Sequence, residues 1–318
     1  MNWDKPAQWV EMADNPAPAN ADIGTLLARD GKKLRNGVFS VADARATIVL
    51  MTGYSEFIEK YFETIKDLQQ AGYCVVLPEW RGHGLSEGNS TTATRLHISD
   101  FDQNVEDLED RLEKLLAGCP RPVFGLSHSM GGQISLRAAH KHKDWFCALA
   151  QSAPMHGLAM PALARIMLLI VAQACALIGK ADSAVPSMPP VERPADAASN
   201  VVTYDMARFN RNEQLFVKDT RLQLNGVSLG WILAASKAMR ASVRPAYLKN
   251  FTTPLFIGTA EDEKLVDNAS HAHVLAHVQN GQGKTYPHAM HELLMEKDAT
   301  RQAFLADILA FYQNIQAH

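Results

Sequence analysis

The sequence predicts an α/β fold built on a mostly parallel sheet, and three observations carry that expectation. Short apolar runs bounded by Gly or Pro alternate with stretches whose apolar residues recur at helical spacing, over residues 46–150 and again over 254–315. The runs at 46–51, polar only at Thr47, and 73–77 are continuous rather than alternating, as strands covered on both faces require. Between an apolar run at 122–126 and a helical stretch from Gln133 lies Ser127-His128-Ser129-Met130-Gly131-Gly132. That is strand, sharp turn with a central Ser, then helix: the context of a nucleophile elbow.

The elements follow in order. Residues 1–22 are polar and rich in Pro, Ala and Asn, an irregular lead-in. Segments 25–28 and 36–41 flank Asp30-Gly31-Lys32, a hairpin signal. The strand at 46–51 ends at Thr52-Gly53, and Phe57, Tyr61, Ile65 and Leu68 mark a helix that Gly72 stops. A strand at 73–77 ends at Pro78. Phe101, Val105, Leu108, Leu112, Leu115 and Leu116 mark the next helix, with Ser99 or Asp100 able to cap it and Gly118 beyond its end. The elbow, its helix and a strand at 146–150 come next. The alternation then stops, and resumes with a strand at 254–258, a helix near 268–278, a strand at 284–286 and a closing helix bearing Phe304, Ile308, Phe311 and Ile315. Residues 1–152 and 249–318 are therefore expected to form the core, and 153–248 an insertion after a central strand. Open α/β sheets bind ligands at the carboxyl ends of their strands, so an insertion there reads as a largely helical lid. Within it, residues 186–194 read as a mobile linker.

Composition bounds the function. The chain has 318 residues, 47% hydrophobic and 20% charged, enough for a sizeable core. A net charge of −3 gives no electrostatic case for nucleic acid. The N-terminus lacks a basic start followed by an apolar run, so it does not read as a signal peptide. Cys74, Cys119, Cys147 and Cys175 are scattered, with Cys74 and Cys147 in strand-like runs; buried free thiols in the cytoplasm are the expectation.

A serine hydroxyl needs a base to take its proton, usually a His that a carboxylate orients through its other ring nitrogen. On a strand–elbow–helix scaffold the chain order is Ser, acid, His. Of 12 histidines, His291 lies after the last expected strand and before the last helix, where the base belongs, with His288 as fallback. The acid should follow the strand at 254–258, and the loop there offers both Glu263 and Asp262. Two backbone N–H groups should form an oxyanion hole: that of Met130, after the nucleophile, and that of Tyr54, after the turn at Gly53. His273 and His277 stand four apart on a helix, but no suitably spaced carboxylate completes a metal site, and no metal or cofactor is expected.

These residues resemble a known family. Thr52-Gly53-Tyr54-Ser55-Glu56 with Lys60-Tyr61, Trp80-Arg81-Gly82-His83-Gly84-Leu85-Ser86, Ser127 to Gly132, and His291-Glu292-Leu293-Leu294 look like the α/β-hydrolase superfamily, in its branch of bacterial lysophospholipases and monoacylglycerol lipases. The resemblance spans roughly residues 24–315 and is weakest in the insertion. There Arg208-Phe209-Asn210-Arg211-Asn212 and Gly226 to Trp231 are similar to the lid of bacterial lysophospholipases. Two positions depart from the pattern: Ser127 stands where Gly is commoner, and Glu79 where Asp precedes the Arg-Gly-x-Gly turn. Matching Leu265-Val266-Asp267-Asn268 to the family places Glu263 on the catalytic acid position. The resemblance implies an α/β-hydrolase fold and hydrolysis of a fatty acyl ester, a lysophospholipid or monoacylglycerol, through an acyl-enzyme. A general carboxylesterase or acyltransferase is the alternative within the same chemistry. A binding module without catalysis is the alternative outside it.

Residues 166–179 are the most apolar stretch, yet short of the roughly 20 residues a transmembrane helix needs. They are expected to pack as a lid helix. Met167, Ile170 and Ile178 are candidates to line an acyl pocket, and the stretch as a whole could make transient contact with a membrane surface.

Overall fold

Nine strands hydrogen-bond into one sheet in the order β1-β2-β3-β5-β4-β6-β7-β8-β9. The computed structural model describes residues 3–186 and 193–316. Three N-terminal strands, β1 (Lys5–Pro6), β2 (Ala21–Leu27) and β3 (Lys33–Phe39), are antiparallel, and β3 joins β5 (Tyr73–Pro78) in the same sense. From β5 onward the sheet is parallel, through β4 (Ala46–Met51), β6 (Val123–His128), β7 (Leu149–Ser152), β8 (Leu255–Ala260) and β9 (Gly281–Tyr286). Parallel neighbours need crossover connections, and helices supply them. They are α1 (Phe62–Gln70), α2 (Asp102–Leu115), α3 (Met130–Lys141) and α8 (Asn268–His277), with α9 (Asp298–Gln316) closing the chain.

The unbroken apolar runs are explained by cover on both faces. Ile48 and Leu50 face one layer, with Phe62 and Ile65 of α1 and Phe304, Ile308 and Phe311 of α9. Val49 and Met51 face the other, with Val105, Leu108 and Leu112 of α2, Ile134 of α3 and Val274 of α8. Alternate residues of one strand thus serve two cores.

Boundaries shift where tertiary pairing decides them. The strand expected at 146–150 is Leu149–Ser152, because it pairs from Gly125↔Leu149 to His128↔Ser152 beside β6. Cys147 falls before it and is exposed, Cys119 and Cys175 are half-buried, and only Cys74 is buried as expected. The first helix opens as a 3-10 turn, Ile58–Tyr61, and ends before Gly72, whose φ of +83° suits glycine. Phe101 takes the N-cap of α2 without a side-chain bond, while Asp100 Oδ1 accepts from the Asp102 amide.

Between β7 and β8 no strand occurs among the described residues. The segment carries α4 (Ala162–Leu177), α5 (Met206–Lys218), α6 (Leu229–Ser242) and the short α7 (Pro245–Leu248). Ser228 caps α6 by accepting from the Trp231 amide, and Asp205 caps α5 from the Arg208 amide. Most of the linker expected at 186–194 lies outside the described residues. No helix among the described residues is long and apolar enough to cross a membrane.

Candidate active site

Ser129 sits between β6 and α3 with φ +49° and ψ −116°, a conformation non-glycine residues seldom adopt. Its backbone is held from three sides: its amide donates to Ser152 O, and its carbonyl accepts from Gly132 and Met155. The glycines that follow are required by close approach. A Cβ on Gly131 would lie 2.3 Å from Met51 O, and one on Gly132 would lie 2.4 Å from Pro154 Cβ. Ser127, standing where glycine is commoner, fits because its hydroxyl is 2.9 Å from that of Ser135 in the buried interior.

The structure brings Ser129, His291 and Glu263 together. His291 Nε2 lies 2.9 Å from Ser129 Oγ, and Nδ1 lies 2.7 Å from Glu263 Oε2. In the tautomer this network favours, Nδ1–H donates to Glu263 and the Ser129 hydroxyl donates to Nε2. Both side chains are shielded, at 6% and 1% exposure for His291 and Glu263. Glu263 Oε1 accepts from the amides of Lys264 and Leu265, which fixes the carboxylate plane. Burial works against ionisation of Glu263, but the His291 bond and the Leu265 and Val266 amides outweigh it and hold the carboxyl below its ordinary value.

The neighbouring acids have other partners. Asp262 Oδ2 accepts from Tyr204 Oη at 3.0 Å, and Glu261 Oε2 accepts from the His288 amide. His288 itself is exposed. His273 Nε2 lies 2.8 Å from Val243 O, and His277 Nδ1 lies 2.8 Å from His273 O, so each uses a ring nitrogen on a backbone carbonyl.

Tyr54 and Met130 follow β4 and β6, which are adjacent and paired up to Met51↔Ser127. Met130 opens α3, so its amide is one of the first-turn donors that have no acceptor within the helix. The turn before Tyr54 is pinned by Glu56 Oε2, which accepts from the Gly53 amide and, at 2.7 Å, from Tyr61 Oη. Lys60 Nζ lies 2.8 Å from Glu56 Oε1 and 2.6 Å from Glu292 Oε1. Burial works against ionisation of Glu56, and the charge of Lys60 then overrides it, holding the carboxyl at about 2. His128, its ring 4.7 Å from that of His291, is pushed down by burial to about 4 and is neutral. Glu56, His128 and Glu292 could hold a metal by spacing alone, but the Lys60 ammonium already sits among the carboxylates. Sequence reasoning named no role for Lys60, Glu56 or Glu292. The signal available was their place beside Gly53 and His291.

Ser129 and His291 open into a cavity of about 540 Å³ walled by Met155, Met160, Phe209, Phe216, Trp231 and Val266, among others. Met167, Ile170 and Ile178, expected to line such a pocket, do not. They are 55%, 58% and 69% exposed and line no part of it. α4 turns Ala172 inward with Leu168 and Leu169 half-buried against the core, while Leu163, Ile166, Met167, Ile170 and Leu177 face out. Much of the wall comes from α5 and α6 instead, helices for which the sequence suggested a place in the lid but no lining residue.

With this geometry in hand, comparison with known proteins decides the family. The family description for serine aminopeptidase, S33, matches residues 42–298, most of the chain. The chain belongs to that family of α/β-hydrolases. Lysophospholipase L2 of Escherichia coli is 29% identical over 279 residues, covering 83% of this chain and 79% of that protein. Monoglyceride lipase of the rat is 32% identical over 149 residues, 46% of this chain and 45% of that one. A soluble variant of monoglyceride lipase from Saccharomyces cerevisiae superposes with a TM-score of 0.74 at 20% identity, covering 93% of this chain and 96% of that one. A carboxyl esterase from Bacillus coagulans superposes with a TM-score of 0.76 at 16% identity, over 93% and 98% of the two chains. At those identities the two solved structures speak for the fold alone. This α/β-hydrolase is an enzyme of a family whose matched relatives are named for the hydrolysis of lipids.

Proposed function

We propose that the enzyme is a serine ester hydrolase that cleaves a single fatty acyl ester, a lysophospholipid or monoacylglycerol, through an acyl-enzyme. The observation that carries this reading is the Ser129–His291–Glu263 hydrogen-bonded chain opening into an apolar cavity. Ser129 Oγ attacks the ester carbonyl while His291 Nε2 takes its proton, and Glu263 stabilises the imidazolium. The Tyr54 and Met130 amides take the oxyanion, each worth about 2.7–4 kcal/mol of transition-state stabilisation. His291 then protonates the leaving alcohol, and a water activated by the same imidazole releases the fatty acid and restores Ser129. No step draws on a metal or cofactor.

In this reading residues 153–248 are the lid: α5 and α6 wall the acyl chain, and α4 with the Ile178 that follows it offers a lipid surface its exposed Leu163, Ile166, Met167, Ile170 and Leu177. The similarity to Escherichia coli lysophospholipase L2 across most of both chains supports a lipid ester over a peptide substrate.

The test is hydrolysis of p-nitrophenyl esters from acetate to palmitate, of lysophosphatidylcholine and of monoacylglycerol, by the native enzyme and Ser129→Ala. Native turnover with a loss of about 10³-fold or more in the folded variant is expected. A variant that keeps its rate would overturn the assignment. A profile confined to short esters would favour a general carboxylesterase.

A further inference from the structure

Buried polar atoms without partners line the cavity. Arg193 Nε, Asn212 Oδ1 and Trp231 Nε1 are all shielded from solvent, make no hydrogen bond, and belong to residues lining the same cavity as Ser129. Asn212 and Trp231 are 7% and 6% exposed, so solvent does not satisfy them readily. Buried polar atoms of a folded protein are ordinarily paired, and leaving one unpaired costs about 1–3 kcal/mol. Three on the wall of the cavity into which the reacting serine opens point to a ligand as their partner.

The Arg193 side chain is held by its neighbours. The Arg193 guanidinium lies over the Phe216 ring, its Cζ 4.0 Å from the ring centroid. Its Nη1 is bonded to Glu213 Oε1, and Glu213 Oε2 accepts from the Ala195 amide at 2.7 Å. Phe216 and Glu213 therefore set the plane of the guanidinium and leave its Nε–H edge unused. Two N–H donors, one of them on a cation, stand on this wall with the Asn212 carbonyl as acceptor and the unpartnered Ser55 hydroxyl, which can do either. A glycerol head, made of hydroxyls, has no need of a buried guanidinium. A phosphodiester accepts only, carries the opposite charge, and matches the geometry of arginine.

The geometry points to Arg193 as the specificity-determining residue for a phosphodiester head group. Trp231 Nε1 is a second donor to it, and Asn212 Oδ1 accepts from the free hydroxyl of the glycerol backbone. This rests on the ester hydrolase reading and narrows it: the enzyme prefers a lysophospholipid to a monoacylglycerol of the same chain length.

The experiment compares kcat/KM on a short-chain lysophosphatidylethanolamine and on the matching monoacylglycerol, for the native enzyme, Arg193→Gln and Arg193→Lys, with melting curves to confirm folding. A hydrogen bond to a charged group is worth about 1.5–3 kcal/mol, which predicts a loss of roughly 10- to 100-fold for Arg193→Gln on the lysophospholipid. The monoacylglycerol rate is expected to fall by clearly less, and Arg193→Lys to lie between. Equal losses on both substrates, or none on either, would overturn the inference. So would a native enzyme that cleaves monoacylglycerol and ignores the lysophospholipid, and that result would leave the ester hydrolase reading standing. Binding of the same two lipids to Ser129→Ala, with and without Arg193→Gln, reads the head-group contact without turnover. If Ser129→Ala keeps its activity, the catalytic assignment fails, and the kcat/KM ratio of the two substrates for the native enzyme and Arg193→Gln still decides the role of Arg193.

Discussion

Lys60 and Glu292 lie 232 positions apart in sequence and 2.6 Å apart in space. Their ion pair ties the loop bearing Gly53 and Tyr54 to the residue that follows His291. Both ends are buried, and Lys60 also neutralises Glu56, which holds the Gly53 amide.

Lys60→Met should therefore cost about 3–5 kcal/mol of stability, the usual penalty for stranding a buried charge, because it strands two carboxylates. Adding Glu292→Gln should recover part of that. Urea unfolding of the two variants measures both effects. A single variant within 1 kcal/mol of native stability, the range of exposed pairs, would show that the pair does not hold the loops.

The acid can be assigned by comparing two isosteric changes. Glu263→Gln removes the charge facing His291 Nδ1, and a fall in kcat of about 10²–10⁴-fold is expected from the loss of the correct tautomer. Asp262→Asn touches only the Tyr204 bond and should leave kcat near native. The reverse ranking of the two variants would move the acid to Asp262.

Acid should destabilise the protein before its carboxylates titrate. Burial pushes both His83 and His128 from 6.5 to about 4. The unfolded chain takes up these protons near pH 6.5 and the folded one does not until about pH 4. Their contribution is thus complete above pH 6.5 and is lost as the pH falls toward 4, on the order of 3 kcal/mol for each. His83 Nδ1 lies 3.1 Å from Arg81 O and its Nε2 has no partner, so the neutral ring is the one that fits. Urea midpoints at pH 7.5, 5.5 and 4.5 should decline, and His83→Gln should flatten the slope. An unchanged slope would place the acid lability elsewhere.

The outward face of α4 gives a prediction for lipid surfaces. Ile166, Ile170 and Leu177 are 52%, 58% and 79% exposed. Burying such a side chain is worth about 1.5–3 kcal/mol, so replacing all three by Ser should weaken partition onto phospholipid vesicles by at least about tenfold. Activity on a soluble short-chain ester should persist. Vesicle co-sedimentation that is unchanged in the triple variant would remove α4 from any membrane role.

Local pattern determined the elements of this protein. The apolar runs, the helical spacings and the glycines after Ser129 act over a few residues, so strands such as Ala46–Met51 could be read directly. Chain order named Ser129, His291 and two candidate acids, because a strand–turn–helix scaffold delivers its loops to one sheet end in sequence. Pairing and packing over long range settled the rest. Which of Glu261, Asp262 and Glu263 faces His291 depends on how one loop curls against Tyr204 and the His288 turn. Which apolar helix walls the cavity could not be read from hydrophobicity: α4 is the most apolar and leaves Ile166, Met167 and Ile170 exposed, while α5 and α6 contribute lining residues. Periodicity shows that a helix has an apolar face. What that face meets is fixed only when elements distant in the chain come together, and the same holds for Lys60, whose partner 232 residues away no local pattern can supply.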